Sequence, residues 1–475
     1  MIGREQESKK LLQLYARNKA EFVAVYGRRR VGKTFLVDET FEEKITFRHA
    51  GLSPADNQKK GALAGQLNHF YYSLKRHGFE EDHCPNTWME AFFMLEKWLE
   101  QIDHGDRQVV FLDELPWMDT PRSGFISALE GFWNSWGCHR KNLMLIVCGS
   151  ASSWILDNLI NNHGGLYNRV TCAIKLSPFS LAECEEFLRE KGIYFSRYDI
   201  VQSYMALGGI PYYMDYLDRE LSLAQNLDML FFAKNAILEG EYEKLFSSIF
   251  TNPEMMKSIV EFLYTKNAGY TRQEIGEHLH ISSGGTLTDC LKALIGSDFI
   301  IKYVPFGMKK NESHYKLVDP FCLFYLHFAA RRQKIDHSFW SHNQNMPAVN
   351  SWKGYAFENV CFNHIGQIKK ALGISDVRTT HSAWSKRGDD IDGTQIDLLI
   401  ERDDNVINAC EIKYYSGDFA VDKAYDRVLK NRMQLLSKEV SPKISIYNTL
   451  ITTYGLIHNE YSGDFIKVVI LDDLF

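Results

Sequence analysis

The sequence predicts an α/β protein: a parallel sheet with a phosphate-binding loop, then helical segments, then a smaller α/β region at the end. Three observations predict this. A short apolar run over residues 22–26 leads into Gly27-Arg28-Arg29-Arg30-Val31-Gly32-Lys33-Thr34, and a helix-like segment opens at Phe35. Two further runs, residues 109–112 and 143–147, are short, β-rich and unbroken by polar residues, the pattern of strands buried on both faces of a parallel sheet. Near the end, residues 395–400 and 406–413 form two strand-like runs around a polar turn, and both carry acids.

Composition sets the bounds. A chain of 475 residues has room for about three domains. With 45% apolar and 24% charged residues it reads as a globular protein with sizeable cores. The net charge of −6 excludes a polyanion-binding surface over the whole protein, so any nucleic-acid contact must be a local patch. Nine cysteines with no Cys-x-x-Cys pair favour reduced thiols and a cytoplasmic setting. Arg4, Glu5, Glu7, Lys9 and Lys10 stand where a signal peptide would be apolar, and no apolar stretch reaches the length of a membrane span.

Residues 1–20 open with Ile2-Gly3-Arg4-Glu5 and continue as an amphipathic helix with Leu11, Leu12 and Leu14 on its apolar side. That helix either closes over a bound adenine or simply packs. In the loop that follows, Gly27 and Gly32 let the backbone wrap so that successive N–H groups face phosphate oxygens. The next helix adds the positive end of its dipole. Lys33 reaches the β- and γ-phosphates and Thr34 offers a hydroxyl to Mg²⁺. The expected nucleotide contacts are therefore residues 27 to 35, from Gly27 to Phe35, with ATP and Mg²⁺ as the implied ligands.

Residues 61–100 read as helical, with Thr87 as N-cap and Trp88, Phe92, Leu95 and Leu99 as a core stripe. The run at 109–112 ends in Asp113-Glu114. A strand-end acid suits Mg²⁺, which fits Asp113; Glu114, one residue on, fits the base that polarises the attacking water. The run at 143–149 closes on Ser150, which either bonds the γ-phosphate side of the site or caps the next helix. Arg169 precedes a further strand at 172–176 and is a candidate for sensing γ-phosphate charge, in its own subunit or across the interface of a homo-oligomer; a plain surface arginine is the other reading.

Ile2-Gly3-Arg4-Glu5, the 27–34 loop, Phe111-Leu112-Asp113-Glu114, Cys148-Gly149-Ser150, Pro178-Phe179-Ser180 and Gly208-Gly209-Ile210-Pro211-Tyr212-Tyr213 together resemble the archaeal-type AAA+ ATPases of the STAND-related group. In that group the ATPase is commonly paired with a C-terminal domain similar to a restriction-type nuclease, of the DUF234 type. The resemblance implies a five-stranded parallel AAA+ core with a small helical lid. It also exposes a departure, because residues 208–213 contain no arginine where many AAA+ lids carry a sensor.

Residues 181–245 alternate apolar helical stripes with turns, as a lid would. Residues 254–318 run helix, helix, helix, hairpin, the winged-helix order, with a capping box at Thr271-Arg272-Gln273-Glu274 and Ser282-Ser283 before the third helix. Lys302, Lys309, Lys310 and Lys316 make the hairpin basic, suited to phosphate backbone or equally to a solvated spacer. Residues 319–345, with Arg331-Arg332, read as a packing helix and linker.

In the last domain Glu358 lies on an opening helix and a strand-like run covers 376–380. Asp397 and Glu411 come side by side if the two final runs form a hairpin. Lys413, two residues after Glu411, shares its face. Two carboxylates can hold Mg²⁺ and the lysine can position or deprotonate water. This trio resembles the PD-(D/E)xK nuclease superfamily, with Ile396 where that family often has proline and Glu358 matching its first-helix acid, a third potential metal ligand.

The expected architecture is thus 1–178 as AAA+ core, 179–245 as lid, 246–345 as winged helix and linker, and 346–475 as a small α/β restriction-endonuclease-like domain. The expected function is an ATP-binding and ATP-hydrolysing protein that binds DNA and cleaves its phosphodiesters. The alternative is an ATP-dependent switch whose last domain binds without cutting. A protein remodeller is a third, weaker possibility.

Overall fold

Apolar residues at consecutive positions force a strand to be covered on both faces, and this rule builds the first sheet. The structure, a computed structural model, describes residues 1–53, 62–161, 164–250, 252–281, 284–330, 336–386 and 394–475. Strand β1 (Glu21–Gly27), β2 (Ile45–Ala50), β3 (Gln108–Asp113), β4 (Leu143–Gly149) and β5 (Cys172–Leu176) form one sheet in the order β2-β3-β4-β1-β5. Every pairing in it is parallel. The sheet belongs to a compact unit made of Met1–Pro178, Glu243–Lys257 and Gly285–Asp298.

β3 and β4 are buried along their whole length. β2 is an edge strand, half exposed and carrying Arg48 and His49. That mixed character explains why its sequence does not announce a strand. The helical stretch expected after residue 60 consists of two helices, Ala62–Arg76 and Trp88–Gln101. The Thr87 side chain caps the second by accepting from the Glu90 amide at 3.2 Å. Trp88, Phe92, Leu95 and Leu99 pack with Phe22, Phe47, Leu112 and Leu145 in the core of this unit.

The second unit comprises Phe179–Tyr242, Ser258–Gly284 and Phe299–Phe475. The helix Arg197–Leu207 stops at Gly208 and Gly209, both with positive φ, and Pro211 opens the next short helix. A side chain at Gly209 would put its Cβ 2.4 Å from the Phe179 carbonyl oxygen. Strands β6 (Tyr270–Thr271), β7 (Ile300–Tyr303) and β8 (His314–Leu317) form a small antiparallel sheet in the order β6-β8-β7. The capping box at Thr271 and Glu274 starts the helix Arg272–His278. Ser282, Ser283, Arg331, Arg332 and the side chain of Lys310 lie outside the described residues.

The helix Pro347–Asn363 precedes β9 (Thr379–Lys386), β10 (Thr394–Arg402) and β11 (Val406–Lys413); the helix Lys423–Ser437 then leads to β12 (Ser445–Thr452) and β13 (Lys467–Val469). The strand expected at 376–380 begins instead at Thr379. The sheet order is β13-β12-β11-β10-β9. β9, β10 and β11 pair antiparallel, whereas β11, β12 and β13 pair parallel. Trp384, Ile396, Leu399, Ile407, Ala409 and Leu436 pack together on one of its faces.

Candidate functional site

Two sites emerge, one in each unit. In the first, β1 ends at Gly27, whose φ is +145° and where a Cβ would lie 2.1 Å from the Leu176 carbonyl oxygen of β5. Only glycine lets the chain leave the sheet here. Arg30 and Gly32 are also left-handed, and the helix Lys33–Phe41 starts directly after. Arg4, absent from the sequence-based site, ties the loop down by donating to the Val31 carbonyl at 2.9 Å and the Ser177 carbonyl at 2.8 Å.

Lys33 is buried and donates to the Gly27 and Arg28 carbonyls and to Ser150 Oγ, at 3.1, 3.0 and 3.1 Å. Its three N–H groups are all used. Burial lowers its pKa against the pull of Glu114. Thr34 Oγ1 donates to Asp113 Oδ2 at 2.7 Å. That contact brings a hydroxyl and a carboxylate oxygen together, the hard oxygen donors that suit Mg²⁺. Burial raises the Asp113 pKa.

Glu114 sits in a left-handed conformation, φ 45° and ψ 49°, which turns its side chain toward β4. Its Oε1 accepts from Ser150 Oγ at 2.6 Å and its Oε2 from the Ser150 amide at 3.1 Å. Ser150 therefore joins Lys33 and Glu114 and does not cap the helix Ser152–Ile155, whose N-cap is Ala151. Arg28 is buried, Arg29 lies 6.0 Å over the Trp117 ring and Phe35 is 52% exposed. Arg169 is exposed on a turn, and among the described residues no side-chain hydrogen bond links it to the loop.

The second site lies at the end of the β10–β11 hairpin. The pairing of Leu398 with Cys410 puts Asp397 opposite Glu411, as the hairpin reading requires. Lys413 Nζ is 2.7 Å from Glu411 Oε1. Arg432 and Tyr425, both on the helix Lys423–Ser437, also bond Glu411. They stand seven residues apart, two helical turns, so they share one face. That spacing was readable in the sequence, but not its target. Gln395 Nε2 donates to Asp397 Oδ1 at 3.1 Å. These side chains and Glu358 line a cavity of about 390 Å³.

Electrostatics divide the acids. Burial and the Glu411 charge push Asp397 up to about 6. Burial would raise Glu411 too, but Arg432 and Lys413 outweigh it and hold it below the usual range. Burial alone would lower Lys413, yet Glu411 drives it above its usual value. Of the two roles expected for Lys413, a lysine held charged this way suits positioning water or phosphate better than deprotonating water.

Glu358 takes other partners. Asn267 Nδ2 donates to its Oε2 at 2.6 Å, and burial, then the Asp397 charge, push it up to about 7. Among the described residues no group of three or more His, Cys, Asp and Glu side chains is arranged to hold a metal ion. Glu358 nonetheless lines the same cavity as Asp397 and Glu411.

Lys316 of β8 gives a second correction. Expected on a basic outer surface, it is 5% exposed, with Glu358 and Asp397 as the charges that act on it. Its ammonium also lies 4.8 Å over the Phe362 ring.

The loop, the strand-end acids and Ser150 are bonded into one cluster, the arrangement expected of a P-loop nucleotide site. Residues 1–217 match the family described as an ATPase domain predominantly from Archaea. The first part of the chain is accordingly an ATPase domain of archaeal type. An uncharacterized protein of Methanocaldococcus jannaschii is 25% identical over 404 residues, covering 82% of this chain and 83% of its own. Among solved structures, the Walker-type ATPase of Pyrococcus abyssi is 20% identical, with a TM-score of 0.45 over 69% of this chain and 96% of that one. A signal-transduction ATPase with a tetratricopeptide repeat sensor from Pyrococcus horikoshii is 15% identical, with a TM-score of 0.32 over 79% and 52%. Among the described residues no helix is long and apolar enough to cross a membrane.

Proposed function

We propose that this protein is an ATP-hydrolysing nuclease that binds DNA through its β6–β8 module and cuts it at the Asp397 site. One observation carries the cleavage reading: Asp397, Glu411 and Lys413 line a single cavity at the end of one hairpin. The order of elements supports it. A helix, three antiparallel strands, a helix and a parallel strand is the arrangement of restriction-type nucleases, and the order over 253–317 is that of a winged helix.

In the ATPase unit, Lys33 and the loop amides would hold the phosphates, and Thr34 and Asp113 would hold Mg²⁺. Glu114, released from Ser150, would take a proton from water. In the second unit, Asp397 and Glu411 would hold a divalent cation, which acts there as a Lewis acid. Lys413 orients the attacked phosphate, and Arg432 and Tyr425 hold Glu411 in place.

The test is cleavage of supercoiled, linear and single-stranded DNA with Mg²⁺ or Mn²⁺, with and without ATP. Asp397→Ala and Lys413→Ala are expected to abolish cutting while ATP turnover stays at the wild-type rate. Lys33→Ala is expected to abolish turnover and reports whether ATP gates cutting. ATP turnover without cutting of any substrate would overturn the nuclease reading. The second reading, an ATP-dependent switch with a non-cleaving last domain, draws on the full engagement of Glu411 by Lys413, Arg432 and Tyr425.

A further inference from the structure

Resting on the cleavage reading, the rim of the second cavity bears on which form of DNA enters it. Tyr355 and Tyr415 both line the cavity that holds Asp397, Glu411 and Lys413, and both are strongly exposed, at 55% and 50%. Their positions follow from the elements that carry the acids. Tyr355 lies three residues before Glu358 on the helix Pro347–Asn363, so the two share a face. Tyr415 lies two residues after Lys413, just beyond the end of β11.

The backbone of Tyr415 is fixed, its amide donating to Thr453 Oγ1 at 3.0 Å. Its ring meets Phe419 edge-on, with centroids 5.4 Å apart at 67°. The ring is thereby braced from one side while half its surface stays open. The deeper tyrosines of the same cavity are already committed. Tyr425 bonds Glu411 through its hydroxyl, and Tyr414 stacks on Tyr198 at 5.0 Å.

Open aromatic faces beside a phosphodiester-cutting site have one chemical use that a duplex cannot satisfy. In a duplex the base faces are covered by their neighbours, and only edges and phosphates are presented. An unpaired nucleotide offers a free π-face, and stacking on a tyrosine tolerates any base. The cavity, about 390 Å³, is of small-ligand size, room for a nucleotide set against the two rings. We infer that the substrate is single-stranded or locally unpaired DNA, with the nucleotides flanking the scissile phosphate stacked on Tyr355 and Tyr415.

The experiment uses the full chain and a fluorescein-labelled 30-nucleotide strand, alone or annealed to its complement. Binding is read by anisotropy in EDTA, and cleavage in Mn²⁺. Wild type is expected to bind the single strand about tenfold or more tighter than the duplex. The pair Tyr355→Ala with Tyr415→Ala is expected to lose at least that factor on the single strand, and the pair Tyr355→Phe with Tyr415→Phe to keep it. Equal affinity of wild type for both forms, or wild-type single-strand affinity in the alanine pair, overturns the inference. A single-strand preference that disappears in the alanine pair without any cleavage sustains the stacking and removes only the cleavage reading.

Discussion

Glu114 is held by a single neighbour, Ser150, through both of its oxygens, and its left-handed backbone sets the direction of that grip. Replacing it with Gln keeps the shape but removes the carboxylate to which the proposed base role is assigned. Glu114→Gln is expected to lower kcat for ATP by about 10²–10⁴, with nucleotide affinity unchanged by fluorescence titration. A second prediction concerns His49, buried against Ser73 at 2.9 Å. Burial, with His69 nearby, lowers its pKa from 6.5 to about 3. At pH 7 the ring is neutral in both the folded and unfolded states. As the pH falls below about 6.5 the unfolded chain takes up a proton there and the folded chain does not until about 3. Stability present at pH 7 is thus lost through that window by about 1.4 kcal/mol per pH unit. Denaturation midpoints at pH 7 and pH 5 should show this slope in wild type, and His49→Phe should lack it.

Strand pairing makes two further expectations concrete. β1 and β5 approach so closely at Gly27 that an added methyl meets the Leu176 carbonyl. Gly27→Ala is expected to cost about 2–3 kcal/mol by denaturant unfolding and to abolish nucleotide binding. On the small sheet, Lys302 and Lys309 are exposed while Lys316 is buried near Glu358 and Asp397. Reversing Lys302 and Lys309 to Glu should weaken DNA binding and flatten its salt dependence by about one unit per lost phosphate contact. Lys316→Met should leave binding intact and reduce cutting. Elements whose pattern depends on neighbours in sequence were legible beforehand: the loop at 27–34, the Thr87 and Thr271 caps, and the β10–β11 hairpin. Partners set by packing were not. Nothing near Lys316 in the sequence says that it turns inward, and the alternating polarity of β2 hides an edge strand.

At the scale of the whole chain, the first unit is not a continuous segment. Its residues 243–257 and 285–298 arrive from far along the sequence. The helix Gly285–Gly296 packs on the short helix Ser152–Ile155 that follows Ser150, and Lys175 pairs with Asp298 at 2.6 Å. A truncated chain ending at residue 178 keeps the whole phosphate loop but lacks that support. It is expected to melt about 10 °C or more below the full chain in a thermal scan.

The chain passes from one unit to the other at 178, 242, 257, 284 and 298. Genetic exchange between related genes that joins the start of one to the end of another within this span would pair each unit with a foreign piece of itself. Exchange points between residues 178 and 298 are therefore expected to be disfavoured.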